Sequence, residues 1–268
     1  MTEPLFDPMK HPDWIPPQTA EWYSRLSLET GEYKYPWMSH FDELRAEDRF
    51  GETIASCLNK EASVLDVGCG HGDFTKRFAD KAKEVVGIDS MDGYIASAKR
   101  QAPDSLTFLV VDAHQPLPFT NASFDVVYTK KGPWLFHNGM DEGHRIIKSG
   151  GIALGLYHCG TDGGFRSLFP GLYSPLPDAY LKDIKAKYEQ QLYESGLLDW
   201  ELEMIDEVEY LASPVDVLIK KCFGQKESLK KVVWQKCLHQ VEDIFARHAV
   251  SKGLRVVNYH VLLSGTAK

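Results

Sequence analysis

The sequence predicts an α/β protein built on a doubly wound, mostly parallel sheet, and three observations lead there. Short apolar runs, "SVLDVG", "EVVGID", "LTFLVVDA", "FDVVYTK" and "GIALGLYH", recur between residues 63 and 158. Such unbroken runs suit parallel strands covered on both faces. Between them, "DFTKRFADKAK" and "MDGYIASAKRQA" carry apolar residues at helical spacing, which gives the β-α-β-α order of a right-handed, doubly wound sheet. Finally, a glycine-rich turn closes the first of these strands, as it does in ligand-binding sheets of this kind.

The later elements follow in order. "DAYLKDIKAKYEQQLYESG" reads as an amphipathic helix stopped by Gly196, and "DWELEMIDEVEYL" alternates as a strand. "PVDVLIKKCF" and "KESLKKVVWQKCLHQVEDIFARHAV" read as helices, and "LRVVNYHVLLSG" as the last strand. The expected organisation is a leading segment at 1–45, a core at 46–212, a helical insertion at 213–253 and a final core strand at 254–268. A chain of 268 residues suits one large domain with additions.

Composition narrows the function. No apolar run reaches the roughly 18–20 residues of a membrane span, and the N-terminus "MTEPLFDPMKHPDW" lacks the basic start and apolar run of a signal peptide. A cytoplasmic protein without membrane attachment is expected. Cys57, Cys69, Cys159, Cys222 and Cys237 form no C-x-x-C pair, so neither a disulfide framework nor a metal centre is expected. With 30 Lys and Arg against 38 Asp and Glu, the net charge of -8 disfavours nucleic acid as a partner. The charge favours a small-molecule partner and leaves the oligomeric state open.

The glycine turn "SVLDVGCGHGDF" excludes phosphate ligands. A dinucleotide site wants G-x-G-x-x-G, but the third glycine here, Gly72, comes one position early, and Asp66 and Asp73 would oppose a pyrophosphate. No G-K-[ST] follows, so the turn is not a P-loop. A ligand with an amino group, a ribose and a sulfonium suits the acidic loop better.

On these residues the chain resembles the class I S-adenosylmethionine-dependent methyltransferases, over roughly residues 60 to 160. The resemblance implies a seven-stranded, Rossmann-like sandwich with S-adenosylmethionine as cofactor and S-adenosylhomocysteine as product. Asp66, Gly68, Gly70 and Gly72 match the motif whose backbone approaches the methionine moiety while the acidic residue holds its ammonium. Asp89 matches the acceptor of the ribose hydroxyls, and Ser90 and Met91 the turn over the adenine. Asp112 and Ala113 match the contacts to the adenine amino group and ring nitrogen. Thr129, in the fourth strand, is counted with the cofactor contacts. In a looser resemblance, a group of poorly characterised bacterial members shares G-x-Y-x-Y-P-W upstream and a basic pair followed by Gly-Pro after the fourth strand; it implies no substrate.

The acceptor is read from the fourth strand's tip, "YTKKGPWLF". Amine-methylating members carry [DNS]-P-P-[YFW] there, and a lysine ammonium has no lone pair to replace that first residue. Cys159 lacks the Thr-Pro that precedes the catalytic cysteine of RNA cytosine methyltransferases. Lys130 and Lys131 either hold an anionic group of the acceptor or are solvated. His137 and His158 are candidate bases. Tyr35, Trp37, Trp134 and Tyr157 are candidate acceptor contacts, with Tyr35 and Trp37 in an aromatic segment that either folds over the cleft as a lid or clasps a sheet face. The expected reaction is in-line methyl transfer to a small or medium-sized acceptor. RNA or protein methylation and non-catalytic cofactor binding stand as alternatives.

Overall fold

A computed structural model describes residues 4–43, 45–100, 102–103, 105–137 and 142–268. The buried apolar runs do form parallel strands: β2 (Ser63–Val67), β3 (Glu84–Asp89), β4 (Leu106–Val110), β5 (Phe124–Lys130) and β6 (Ile147–Asp162). Every residue of β2 is buried, with Val64 facing one apolar cluster and Leu65 and Val67 the other. That alternation follows from the period-two pleat. β7 (Leu198–Leu211) and β8 (Leu254–Thr266) complete the expected seven, with β8 antiparallel to both β6 and β7.

The sheet has an eighth strand that the sequence pattern does not show. β1 (Ser39–Phe41) pairs antiparallel with β7, so the order is β1-β7-β8-β6-β5-β2-β3-β4. The chain leaves β2 toward β3 in one direction and returns at β5 to go the other way. The carboxyl ends of β2 and β5 therefore flank the switch point at which such sheets open a crevice.

Helices cover both faces. α1 (Ala20–Thr30) starts at Thr19, whose hydroxyl accepts from the Trp22 N–H, and ends at Gly31 in the left-handed conformation. α2 (Ala46–Ser56) and α3 (Asp92–Arg100) bury Phe50, Ile54, Ile95 and Ala98 on one face of the sheet. On the other face are α4 (Glu142–Ile146) and α6 (Tyr180–Ser195), which stops at the left-handed Gly196 as the sequence suggests. Short α5 (Phe165–Leu168), α7 (Pro214–Lys221) and α8 (Glu227–His248) enclose a third core around Phe169, Leu218 and Val233. The helix expected from "DFTKRFADKAK" shrinks to a 3-10 turn at Thr75–Phe78. Phe74, Thr75 and Phe78 are all buried there.

The N-terminal segment binds several elements. The Leu5 N–H donates to the Pro170 carbonyl, and the buried Gln225 amide exchanges two hydrogen bonds with the backbone of Ile15. α1 packs on α3 through Trp22, Leu26 and Tyr94. Residues 31–38 then cross the carboxyl end of the sheet before β1 joins its edge. Among the described residues, no helix is long and apolar enough to cross a membrane.

Candidate functional site

The glycine turn after β2 takes the conformation that its three glycines allow. Gly68, Gly70 and Gly72 have φ of 77°, 56° and 81°, a region that L side chains rarely enter. A Cβ on Gly68 would lie 2.9 Å from the Gly132 Cα, so the turn is pressed against the tip of β5. A Cβ on Gly70 would meet nothing within 4 Å, so the backbone there faces open space. Thr129, almost fully buried, joins the two strand tips by donating to the Val67 carbonyl at 2.8 Å and accepting from the Gly132 N–H at 3.0 Å. Its hydroxyl is thus already engaged within the protein.

Two aspartates, Asp66 and Asp89, border this turn. Asp89, at the end of β3, accepts from the Gly70 N–H and the Met91 N–H, each at 2.9 Å, and so holds the glycine turn and the next turn together. Burial raises its carboxyl above the ordinary range, although these backbone donors act against it. Asp66 Oδ2 accepts from Thr75 and Tyr128 at 2.7 and 2.9 Å, while Oδ1 is buried with no hydrogen-bond partner. Burial pushes the Asp66 carboxyl up to about 6, against the two hydroxyls and Lys130. Asp112 lies exposed beyond β4 and accepts from the His114 N–H, beside buried Ala113. Ser90 is exposed, and Met91 packs against the cluster of Ile15, Trp22, Leu26 and Tyr94.

The aromatic segment 31–38 reaches this site. The Tyr33 N–H donates to His71 Nδ1 at 3.0 Å, and the other nitrogen of that imidazole lies 3.1 Å from Asp73. Lys131 donates to the Tyr35 hydroxyl at 2.7 Å, and the Trp37 indole donates to Glu209 at 2.6 Å. The segment contacts the glycine turn, the β5 tip and the β7 side at once. His71, which the glycine spacing hides, is the contact that sequence reasoning missed.

The acceptor-side candidates divide. Lys130 is paired with Glu47 of α2 at 2.8 Å and lies 4.4 Å from the Phe74 ring centre. A carboxylate of the protein thus already meets its charge. The Trp134 indole is buried and donates to the Phe136 carbonyl at 2.8 Å. Tyr157 stacks on Tyr188, and its buried hydroxyl has no hydrogen-bond partner. His137 is exposed, just before residues 138–141, which lie outside the described residues. His158 faces Thr161 at 3.2 Å and the His260 ring at 5.2 Å; burial, with Lys131, His260 and Lys220 nearby, holds it well below the ordinary imidazole range. It is therefore neutral near pH 7. Burial pushes the Cys159 thiol up to about 11, which opposes a nucleophilic role.

Behind the aromatic segment is a buried polar network that the sequence did not reveal. Glu209, 1% exposed, accepts from Trp37, from Lys220 at 2.8 Å and from Asn258 at 2.7 Å. Glu207 faces His260 at 3.2 Å and caps the first N–H of α2 at 3.1 Å. A hollow of about 290 Å³ lies between the opposite strand ends, where Asp125 is already paired with Lys148 and the Ser63 N–H. Among the described residues, no group of three or more His, Cys, Asp or Glu is placed to hold a metal ion.

The residues present fit S-adenosylmethionine: the orphaned Asp66 oxygen suits an ammonium, open space adjoins Gly70, and acidic Asp89 ends β3. Comparison with known proteins agrees. Residues 64–151 match the family profile described as a methyltransferase domain. An uncharacterized methyltransferase of Synechocystis sp. is 29% identical over 138 residues, covering 47% of this chain and 64% of that protein. A demethylmenaquinone methyltransferase of Renibacterium salmoninarum is 33% identical over 110 residues, covering 40% of this chain and 46% of that protein. The chain thus spans less than two thirds of each. A crystal structure of a putative methyltransferase from Bacillus halodurans shares the fold, with a TM-score of 0.54, 18% identity and coverage of 82% of this chain and 98% of that one. The chain is thus similar, over its central strands, to the class I S-adenosylmethionine-dependent methyltransferases, and it shares their Rossmann-like fold.

Proposed function

We propose that the protein transfers a methyl group from S-adenosylmethionine to a small or medium-sized acceptor. The observation that carries this reading is the acidic glycine turn, open at Gly70 and bordered by the unpaired Asp66 oxygen and by Asp89. Asp66 takes the ammonium, the Asp89 carboxylate accepts from the ribose, and Met91, Asp112 and Ala113 meet the adenine. The bound cofactor supplies a methyl already activated on a sulfonium: the acceptor's lone pair forms the new bond as the carbon–sulfur bond breaks, its electron pair going to sulfur. The chain's own contribution is alignment and exclusion of water, for which the aromatic segment across the strand ends is placed. His158 is neutral, but its lowered pKa makes it a weak base, which suits an acceptor that needs no strong one. The helical layer at 213–253 and the segment 31–38 enclose the acceptor side, which supports an enclosed acceptor over an open nucleic-acid track.

The test is transfer of labelled methyl from S-adenosylmethionine into a cell extract separated into small metabolites, RNA and protein, alongside calorimetry with S-adenosylhomocysteine. Label in the small-molecule fraction is expected. Label confined to RNA or protein overturns the acceptor class, and cofactor binding without label in any fraction overturns catalysis.

A pH dependence follows from Asp66. Its carboxyl sits at about 6 in the folded protein, and only the carboxylate pairs with an ammonium. Affinity for S-adenosylhomocysteine is therefore full above that value and falls about tenfold per pH unit below it. Calorimetry from pH 5 to 8 should show this loss in the wild type and a weak, nearly flat profile in Asp66→Asn. A wild-type profile as flat as that of the variant contradicts the ammonium contact.

A further inference from the structure

At the mouth of the site, Lys131 differs from the other basic residues around it. Lys130 has Glu47 at 2.8 Å, Lys220 has Glu209 at 2.8 Å, and Arg45 has Glu207 at 3.9 Å. Among the described residues, Lys131 forms no ion pair, and its ammonium donates to the Tyr35 hydroxyl at 2.7 Å. That ammonium also lies 5.0 Å from the Tyr35 ring centre, while Lys220 lies 4.5 Å from the Trp37 ring centre. Tyr35 and Trp37 stack at 4.5 Å, so each ring of the stacked pair carries one ammonium.

The backbone of Lys131 is equally unusual. Its φ is 65°, a left-handed conformation that costs a non-glycine residue about 1–2 kcal/mol. The conformation is fixed by the Lys131 N–H donating to the Leu156 carbonyl at 2.8 Å and by the contact of the following Gly132 with Gly68. Such strain persists where the surroundings enforce it, and it gathers at functional positions. Here it sets an ammonium without a carboxylate partner beside the glycine turn.

Resting on the methyltransferase reading, we propose that Lys131 is the specificity residue of the acceptor site and that the acceptor carries an anionic group, a carboxylate or a phosphate. That group replaces the Tyr35 hydroxyl on the Lys131 ammonium. The phenol offers the ammonium only a dipole, whereas an anion adds direct attraction between opposite charges. The exchange therefore favours the anion and frees Tyr35 to settle against the acceptor.

Three probes of similar shape test this on the full chain saturated with S-adenosylhomocysteine: benzoate, phenyl phosphate and neutral benzamide. At least one anion is expected to bind about tenfold or more tightly than benzamide, and which one does so separates carboxylate from phosphate. The preference should vanish in Lys131→Met and survive in Lys131→Arg. Absence of a preference in the wild type, including failure of all three to bind, overturns the proposal, as does a preference that persists in Lys131→Met. Binding of S-adenosylhomocysteine in the same runs keeps the two readings apart: its loss in the wild type would sink the cofactor site, whereas its retention without anion preference sinks only the acceptor assignment.

Discussion

Asp89→Ala should weaken binding of S-adenosylhomocysteine by at least about 100-fold, because each hydrogen bond to a charged group contributes about 1.5–3 kcal/mol and 1.4 kcal/mol is tenfold in affinity. The residue acts twice. In the proposed complex it accepts from the ribose, and in the protein it already holds the N–H groups of Gly70 and Met91. Its removal takes away a ligand contact and loosens the turn that forms the rest of the site. Asp89→Asn keeps one carbonyl acceptor and should fall between the two. Calorimetry measures the affinity, and a thermal melt verifies that the variant folds. An affinity unchanged in the folded Asp89→Ala protein would refute the ribose contact.

The second large effect is on stability. Glu209 is held below the usual carboxylate range: burial works to raise it, but Lys220, Asn258 and Trp37 outweigh that. Removing one partner of a buried ion pair strands the other charge and costs about 3–5 kcal/mol. Glu209→Ala should therefore destabilise the protein by about that amount, measured by urea denaturation. The loss should be smaller in the double variant Glu209→Ala/Lys220→Met, where no charge is stranded. Equal losses in the two would show that Lys220 is not the group the carboxylate compensates. Because Glu209 also holds the Trp37 indole, the single variant should loosen the aromatic segment as well.

The parallel half of the sheet was legible because doubly covered strands must be largely apolar, as β2 and β5 show most fully. Gly196 announced the end of α6 through its left-handed cap. β1 was not legible: three residues, Ser39 to Phe41, are too few for a periodic signal, and their strand conformation depends on pairing with β7. The glycine turn with Asp66 and Asp89 could be read from spacing because its chemistry lies close together in the chain. The polar network could not, since Lys220 comes from α7 and Asn258 and His260 from β8, while their carboxylate partners lie on β7. Its carboxylates were also disguised. Glu201, Glu203, Glu207 and Glu209 alternate along β7 as a solvated face would, yet Glu207 lies beneath the start of α2 and Glu209 beneath Trp37 and α7. Lys130 and Lys131 looked alike in sequence, and only the position of α2 gave one of them a carboxylate.

The segment 31–38 is tied at both ends, by α1 packed on α3 before it and by β1 hydrogen-bonded to β7 after it. A bridge of this length, whose extended contour is about 28 Å, can bow outward without leaving the sheet. Its return is an intramolecular event. The entropy of closing so short a loop grows only slowly with length, and each excursion begins with Tyr33, Tyr35 and Trp37 already near their partners. Tethering at both ends thus keeps Tyr33, Tyr35 and Trp37 at a high effective concentration over the crevice, whether the segment serves as a lid or as a clasp.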